Sequence, residues 1–352
     1  MLKTMPRSPK PAKPSARALL PTAERALIQQ ISSLSATTRS SALRLGIGDD
    51  CAILRVRAGE EIVVTTDFSL EGRHFRRAWH PAAAIGHRAL ARGLSDIAAM
   101  GARPLAAFLS LALPPAAVAN QSWLDAFFHG LLTLAAAHNV PLAGGDTAQA
   151  PGPHILADII LLGAAPTGRA LRRSTARPGD ILYPTGSLGG ASAELALLAA
   201  NPRRFRAANP AANHPHLYPQ PRLAQGRELL RRHLATACID LSDGLSTDLT
   251  HLCTASHVAA EVVAAALPLH PLAAALPAAA ALNAALNGGE DYELLFTAAP
   301  TTRLPRKLAG IPITPIGRIL PTRKGRPQVT LIDATNHRTP LEPQGWEHFR
   351  TP

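Results

Sequence analysis

Cysteine is scarce in this 352-residue chain, present only as Cys51, Cys238 and Cys253. An odd number with no C-x-x-C spacing argues against both a disulfide framework and a zinc site, and suits a reducing cytoplasm. Lysine is almost as rare. Lys3, Lys10, Lys13, Lys307 and Lys324 all stand outside Gly-rich motifs. That excludes a Walker A loop, which ends Gly-Lys-[Ser/Thr], and the protein-kinase fold with its strand lysine. No G-x-G-x-x-G joins a strand to a helix, so a dinucleotide fingerprint is missing as well. No apolar run approaches the ~18 residues that a membrane helix needs. The Ala-rich stretch 271–286 is interrupted by Pro277 and Asn283. A soluble protein without a membrane partner is expected.

Aromatic residues make up only 4% of the chain. The net charge of +12 invites nucleic acid, because clustered Lys and Arg neutralise phosphates. Stacking platforms for bases are thin, however, and the arginines are scattered, so no nucleic-acid partner is expected. Residues 1–20 are rich in Pro, Lys, Arg and Ser and contain no acid. They lack the continuous apolar segment of a signal peptide and read as a disordered basic tail.

What is present is a repeated alternation of strand and helix. Leu27, Ile28 and Ile31 give residues 21–33 a helical stripe. EIVVTTD (61–67) is β-branched and reads as a strand delivering Asp67 at its C-terminal end. Residues 81–100 begin with Pro and repeat apolar residues at helical period, 104–114 and 154–165 read as strands, and 116–138 as an amphipathic helix. After Pro166 the pattern restarts. Residues 179–200 give a strand, a Gly-rich turn and a helix; 201–222, with five prolines, an irregular connection; 237–256 a short strand into a helix; and 288–299 a turn into a strand. The weakest seam is near 165–170. The predicted fold is α+β (mixed α/β), with domains over 21–165 and 166–352 behind the tail.

The chain has 24 acidic residues against 36 basic ones, yet the acids gather beside glycines and at strand ends. GIGDDC (46–51), TTDFSLEG (65–72), LSD (94–96), GGDT (144–147), IDLSDG (239–244) and GGEDYE (288–293) are the clusters. Hard oxygen ligands at loops favour magnesium or calcium over zinc. Glycine beside an acid lets backbone N–H groups approach a phosphate. Carboxylates, several divalent ions and a polyphosphate would satisfy one another. Each cluster also has a plainer reading. GDD and GGD are ordinary turns, Ser95 and Asp96 are polar helix residues, Ser242 and Asp243 cap the next helix, and His74 is a surface histidine. Repetition is what favours the functional reading. With no lysine in a Gly-rich motif, metals and arginines must neutralise any bound phosphate, and Arg169, Arg172 and Arg173 in GRALRRS are the best-placed candidates.

Eight stretches in order resemble the thiamine-monophosphate kinase family, of the aminoimidazole-ribonucleotide-synthetase-like group. They are LGIGDDCAIL, TTDFSLEGRHF, LARGLSDIAAMGARP, LAGGDT, GRALRRSTARPGD, CIDLSDGLSTDL, GGEDYELLFT and GWEHF, and the likeness runs from about residue 21 to 349. The resemblance implies an ATP-dependent phosphotransferase that makes thiamine diphosphate from thiamine monophosphate, with ATP as co-substrate and several magnesium ions. It implies metal contacts at Asp49, Thr65, Thr66, Asp67, Asp96, Asp146, Asp240 and Asp243. Gly145, Asp146, Arg173 and Ser242 would meet ATP, and His74, Glu290 and Trp346 the thiamine monophosphate. The N-terminal domain would bind metal and ATP, and the C-terminal domain would complete the nucleotide and thiamine site. It further implies a homodimer whose N-terminal halves pair into a β-barrel. No residue is expected to act as nucleophile, because a phosphate oxygen attacks directly. Of the adjacent Asp49 and Asp50, Asp49 is expected to face metal and Asp50 to brace the loop through hydrogen bonds or reach metal only indirectly, with Cys51 a small buried neighbour.

Overall fold

The computed structural model describes residues 23–35, 38, 40–325 and 328–345. The basic tail 1–20 and Trp346 lie outside them. In the N-terminal half, helix α1 (Ala23–Ser35) precedes strand β1 (Glu60–Leu70), helix α2 (Ala82–Ala99) and strand β2 (Arg103–Leu113). Helix α3 (Gln121–Ala137) and strands β3 (Leu142–Gln149) and β4 (Leu156–Pro166) follow. The strands form a mixed sheet in the order β1-β4-β2-β3, with only β2 and β3 parallel.

Residues in register share a sheet face. Phe68, Asp158, Ser110 and Asp146 make one row, and Asp67, Ile159, Leu109 and Gly145 the next, on the opposite face. The Asp67 face is covered by α2. The other carries Ile62, Val64 and Phe68 exposed. Two expectations are corrected here. Asp67 does not end its strand, because β1 pairs with β4 as far as Leu70. The GGDT stretch is not a loop but lies within β3, an edge strand that pairs only with β2. Gly145 makes that possible: its φ is +151°, and a Cβ there would stand 1.9 Å from the Leu109 carbonyl oxygen.

Helix α2 is buried on nearly every side, and its apolar residues pack against the elements around it. Small residues set its neighbours' distances. Gly86 of α2 and Gly130 of α3 face one another's backbones, each leaving only 1.9 Å between a hypothetical Cβ and a carbonyl oxygen across the crossing.

The C-terminal half begins with β5 (Ile181–Pro184), α4 (Gly190–Ala200), α5 (Leu223–Arg231) and β6 (Ala237–Asp240). It continues with α6 (Leu245–Ser256), β7 (Val258–Val263), α7 (Ala278–Asn287) and β8 (Leu294–Ala298), then β9 (Gly317–Pro321), β10 (Val329–Ile332) and β11 (Arg338–Pro340). A seven-stranded mixed sheet runs β11-β10-β7-β9-β5-β8-β6, where only β10 and β7 are parallel. Gly226 of α5 lets that helix approach Ala98 of α2 as closely as α3 does. One core therefore continues through both halves, from Leu94, Phe127 and Leu161 to Leu229 and Phe296. A second, with Leu249, Val262 and Leu295, lies between the larger sheet and α6. The fold is mixed α/β with two mixed sheets, and α2 brings the ends of β1 and β6 together.

Candidate active site

Two turns of α2 carry Arg88, Arg92, Ser95 and Asp96, spaced so that all four share one face. That face meets β1 on one side and the end of β6 on the other. A cleft of about 720 Å³ opens there. Asp67, Asp96, Asp240, Ser242, Asp243, His74 and Glu290 all line it, joining seven of the residues singled out from the sequence. Thr65 stands at its base and donates its hydroxyl hydrogen to Asp96 Oδ2. Ser95 Oγ donates to Asp240 Oδ2 at 2.7 Å. The far wall is apolar, with Leu195, Ala196 and Ala199 of α4 opposite Trp79.

The remaining residues fall elsewhere. Asp49, Gly145 and Asp146 line a second cavity of about 920 Å³, beside Phe108, Ser110 and Ile160 on the other face of the N-terminal sheet. Thr66 is exposed on that face too, in register with Ile160. Period-2 alternation is the reason, since Thr65 and Thr66 must point to opposite sides. Arg173 is exposed, yet its charge is felt by both Asp96 and Asp240. Arg169 is not at the cleft: it donates to His233 in a separate groove with Arg103 and Arg227. Trp346 is outside the described residues.

Local expectations change in three places. The Asp50 N–H donates to Asp49 Oδ1 at 2.8 Å, so Asp49 braces the loop that Asp50 was expected to brace. Cys51 is exposed rather than buried, because its loop stands at the mouth of the second cavity. Ser242 and Asp243 do not cap α6. Gly244 holds the cap position, and Asp248 in the first turn accepts from the N–H groups of Asp243 and Gly244, each at 3.0 Å.

Burial disfavours negative charge on the carboxylates of the cleft. Asp240 is 5% exposed, and burial, reinforced by the Asp96 charge, pushes its carboxyl up to about 7. Burial likewise raises Asp96, and Asp67 adds to the effect despite the hydrogen bond from Thr65. Carboxylates so arranged take up protons unless a positive ion meets them. Among the described residues, no three His, Cys, Asp or Glu side chains already converge on a metal position. The donor chemistry nevertheless fits magnesium, being carboxylate and hydroxyl oxygen throughout.

Sequence reasoning missed the cleft's basic residues. Arg92 Nη2 donates to Asp67 Oδ1 at 2.8 Å, and Arg88 Nη2 to Glu290 Oε1 at 2.7 Å. Burial alone would raise Glu290, but Arg88, His216 and Arg92 outweigh it and hold the carboxyl well below its usual range. Burial also opposes the Arg92 cation, yet Tyr292, Asp67 and Glu290 hold its pKa above the ordinary value. The i, i+4 spacing of Arg88 and Arg92, continued to Asp96, was the signal available in the sequence. His80 and His216 had no such signal, being separated by 136 positions.

Residues 48–165 match the family described as AIR synthase related protein, N-terminal domain. Over 325 residues the chain is 39% identical to the thiamine-monophosphate kinase of Escherichia coli (strain K12), an alignment covering 89% of this chain and 95% of that protein. The solved thiamine-monophosphate kinase from Stenotrophomonas maltophilia K279a is also 39% identical, with a TM-score of 0.75 over 87% of this chain and 95% of that one. AaThiL complexed with AMPPCP and TMP is 28% identical, with a TM-score of 0.71 over 91% and 96%. The chain belongs to the thiamine-monophosphate kinase family, a family of ATP-dependent kinases within the AIR synthase-related class.

Proposed function

We propose that this chain transfers the γ-phosphoryl group of ATP directly to the phosphate of thiamine monophosphate, giving thiamine diphosphate and ADP. The observation that carries the reading is the acidic cleft itself. Asp67, Asp96, Asp240 and Asp243 line it together with the half-buried Arg92 and Glu290, in a member of this family. The structure of AaThiL with a nucleotide analogue and TMP supports the same pair of substrates.

The attacking atom is a phosphate oxygen, anionic near neutral pH, so no side chain need remove a proton. What the protein supplies is position and charge. Asp67, Asp96, Asp240 and Asp243, with Thr65, would hold magnesium at the cleft, and Asp49, Thr66 and Asp146 would offer oxygen ligands on the opposite face of the sheet, apart from that cleft. Bound magnesium supplies counter-charge between these carboxylates and the phosphates. Gly145, Asp146, Arg173 and Ser242 would hold ATP. His74 would meet the substrate phosphate, and Glu290 and Trp346 the thiamine moiety. His74 is already oriented, since its Nδ1 accepts from the Leu70 N–H at 2.9 Å.

The homodimer is proposed on the same sheet. Ile62, Val64, Phe68 and Leu156 are exposed on the face away from α2, an apolar face suited to a second copy of that sheet closing into a barrel. A second copy there would also enclose the cavity of Asp49 and Asp146. Among the described residues no helix is long and apolar enough to cross a membrane. The three free cysteines suit the cytoplasm.

The test is direct: purified protein with ATP, magnesium and thiamine monophosphate, followed by chromatography for thiamine diphosphate and ADP. Absence of product from folded protein would overturn the proposal. Asp67→Asn keeps the side-chain shape and removes the charge, so turnover should fall at least about 100-fold with little change in melting temperature. Near-normal turnover would remove Asp67 from the metal site.

A further inference from the structure

We infer that His216, carried by the Pro-rich segment 201–222, is a positioning residue that fixes the Glu290 carboxylate for the thiamine moiety, with His80 setting its tautomer. The inference rests on the substrate reading above.

Glu290 needs fixing. Its φ is +67°, a left-handed conformation unfavourable for a residue with a side chain. Its own N–H donates to the Ser242 carbonyl at 2.7 Å, which anchors the backbone but leaves the carboxylate free to turn. Three groups stop that rotation. Arg88 Nη2 holds Oε1 at 2.7 Å with Arg92 Nη1 at 3.5 Å from the same oxygen, and His216 Nδ1, the one partner of Oε2 among the described residues, stands 3.2 Å from it.

The hydrogen positions follow from donor and acceptor bookkeeping. A carboxylate oxygen can only accept, so Nδ1 of His216 carries the hydrogen. Arg88 Nη1 also lies 3.2 Å from that nitrogen, but it donates instead to the His216 carbonyl oxygen. Nε2 of His216 is then a lone pair and accepts from Nε2–H of His80 at 3.0 Å. Nδ1 of His80 stands 3.2 Å from both the N–H and the carbonyl oxygen of Arg76; with Nε2 donating to His216 it is the lone pair that accepts from that N–H. Both rings are then neutral. Burial is the main reason, with the Arg88 cation adding to it; His80 is pushed down to about 3 and His216 is lowered too.

The segment is held where this requires. Glu194 of α4 is 1% exposed, and its Oε2 accepts from the N–H groups of His216 and Leu217 at 2.7 and 3.2 Å. Its Oε1 meets His214 Nδ1 at 2.5 Å. The helix that forms the cleft's apolar wall thus also seats the histidine. Glu290 is left anionic, clamped on both oxygens, and presents its remaining lone pairs to an amino group or cationic ring of the substrate.

His216→Phe keeps the ring volume and removes both nitrogens, whereas His216→Asn places an amide N–H where Nδ1–H stood. Steady-state kinetics should show the KM for thiamine monophosphate about tenfold higher in H216F, with the KM for ATP within about twofold. H216N should return it to within about threefold of wild type. A folded H216F with the wild-type KM would overturn the inference, as would H216N as impaired as H216F, or both KM values rising together. If H216F does not fold, His80→Leu and His80→Gln decide by the same comparison, because only Gln retains a donor to Nε2. Wild-type enzyme inactive on thiamine monophosphate would overturn this inference together with the function beneath it.

Discussion

Replacing Gly86 by alanine adds one methyl group at the crossing of α2 and α3. The new Cβ would lie 1.9 Å from the Phe127 carbonyl oxygen and 2.8 Å from its carbon. Ordinary contact needs about 3.5 Å, so the helices must part locally by about 1.5 Å. The obstacle is backbone, which cannot rotate aside as a side chain would. Overpacking costs about 1–3 kcal/mol or more, and this site belongs at the upper end. Alanine recovers about 1 kcal/mol in helix propensity. The net loss is about 2 kcal/mol, or roughly 3 °C in melting temperature for a chain of this size. Thermal unfolding by differential scanning calorimetry measures it, with Gly152→Ala as control, since nothing lies within 4 Å of a Cβ there. That control should shift stability by less than about 0.5 kcal/mol. Gly130→Ala meets the same crossing from the other side, so the double variant should lose less than the sum of the two. Because α2 also carries Arg88, Arg92 and Asp96, turnover should fall with stability. Equal melting of G86A and G152A would refute the packing argument.

Two further outcomes follow. Burial and Asp96 push the Asp240 carboxyl up to about 7, against about 3.9 in an unfolded chain. A raised acid contributes stability that is fully present below the unfolded value and lost as pH rises through about 7. Buried His80 and His216, whose pKa values are lowered, work in the opposite direction, so the comparison is with Asp240→Asn. Without metal, wild type should lose melting temperature relative to D240N between pH 4 and 7, roughly the span of the two values, and saturating magnesium should close the gap. A constant difference across that range would show that Asp240 titrates normally. Separately, Val64→Arg or Phe68→Asp should convert a dimer to monomer in sedimentation velocity; an unchanged mass would place the dimer contact elsewhere.

Much of the fold was legible because hydrophobic period is local. Pro81 and the apolar spacing of 81–100 gave α2 to within a residue at either end, and β2 and β4 were read nearly as closely. The glycine-rich acidic stretches were harder. GGDT has the composition of a turn, yet β2 extends it as a strand, and pairing partners are invisible in a single segment. Strands β7, β9 and β10, a contiguous part of the larger sheet, carried no strong signal of their own.

The sequence by itself determined which residue types were candidates for the chemistry. Scarce acids beside glycines, with lysine missing from every phosphate loop, pointed to carboxylates and arginine, and seven of those residues meet in one cleft. The tertiary structure alone decided which residues stand together. It set Thr65 and Thr66 on opposite faces, placed Asp49 and Asp146 across the sheet from Asp67, and brought His80 against His216. Composition and spacing act over a few residues, whereas a site is made by contacts between distant ones. Burial at those contacts is what raises the carboxyl of an aspartate such as Asp240 above its ordinary range.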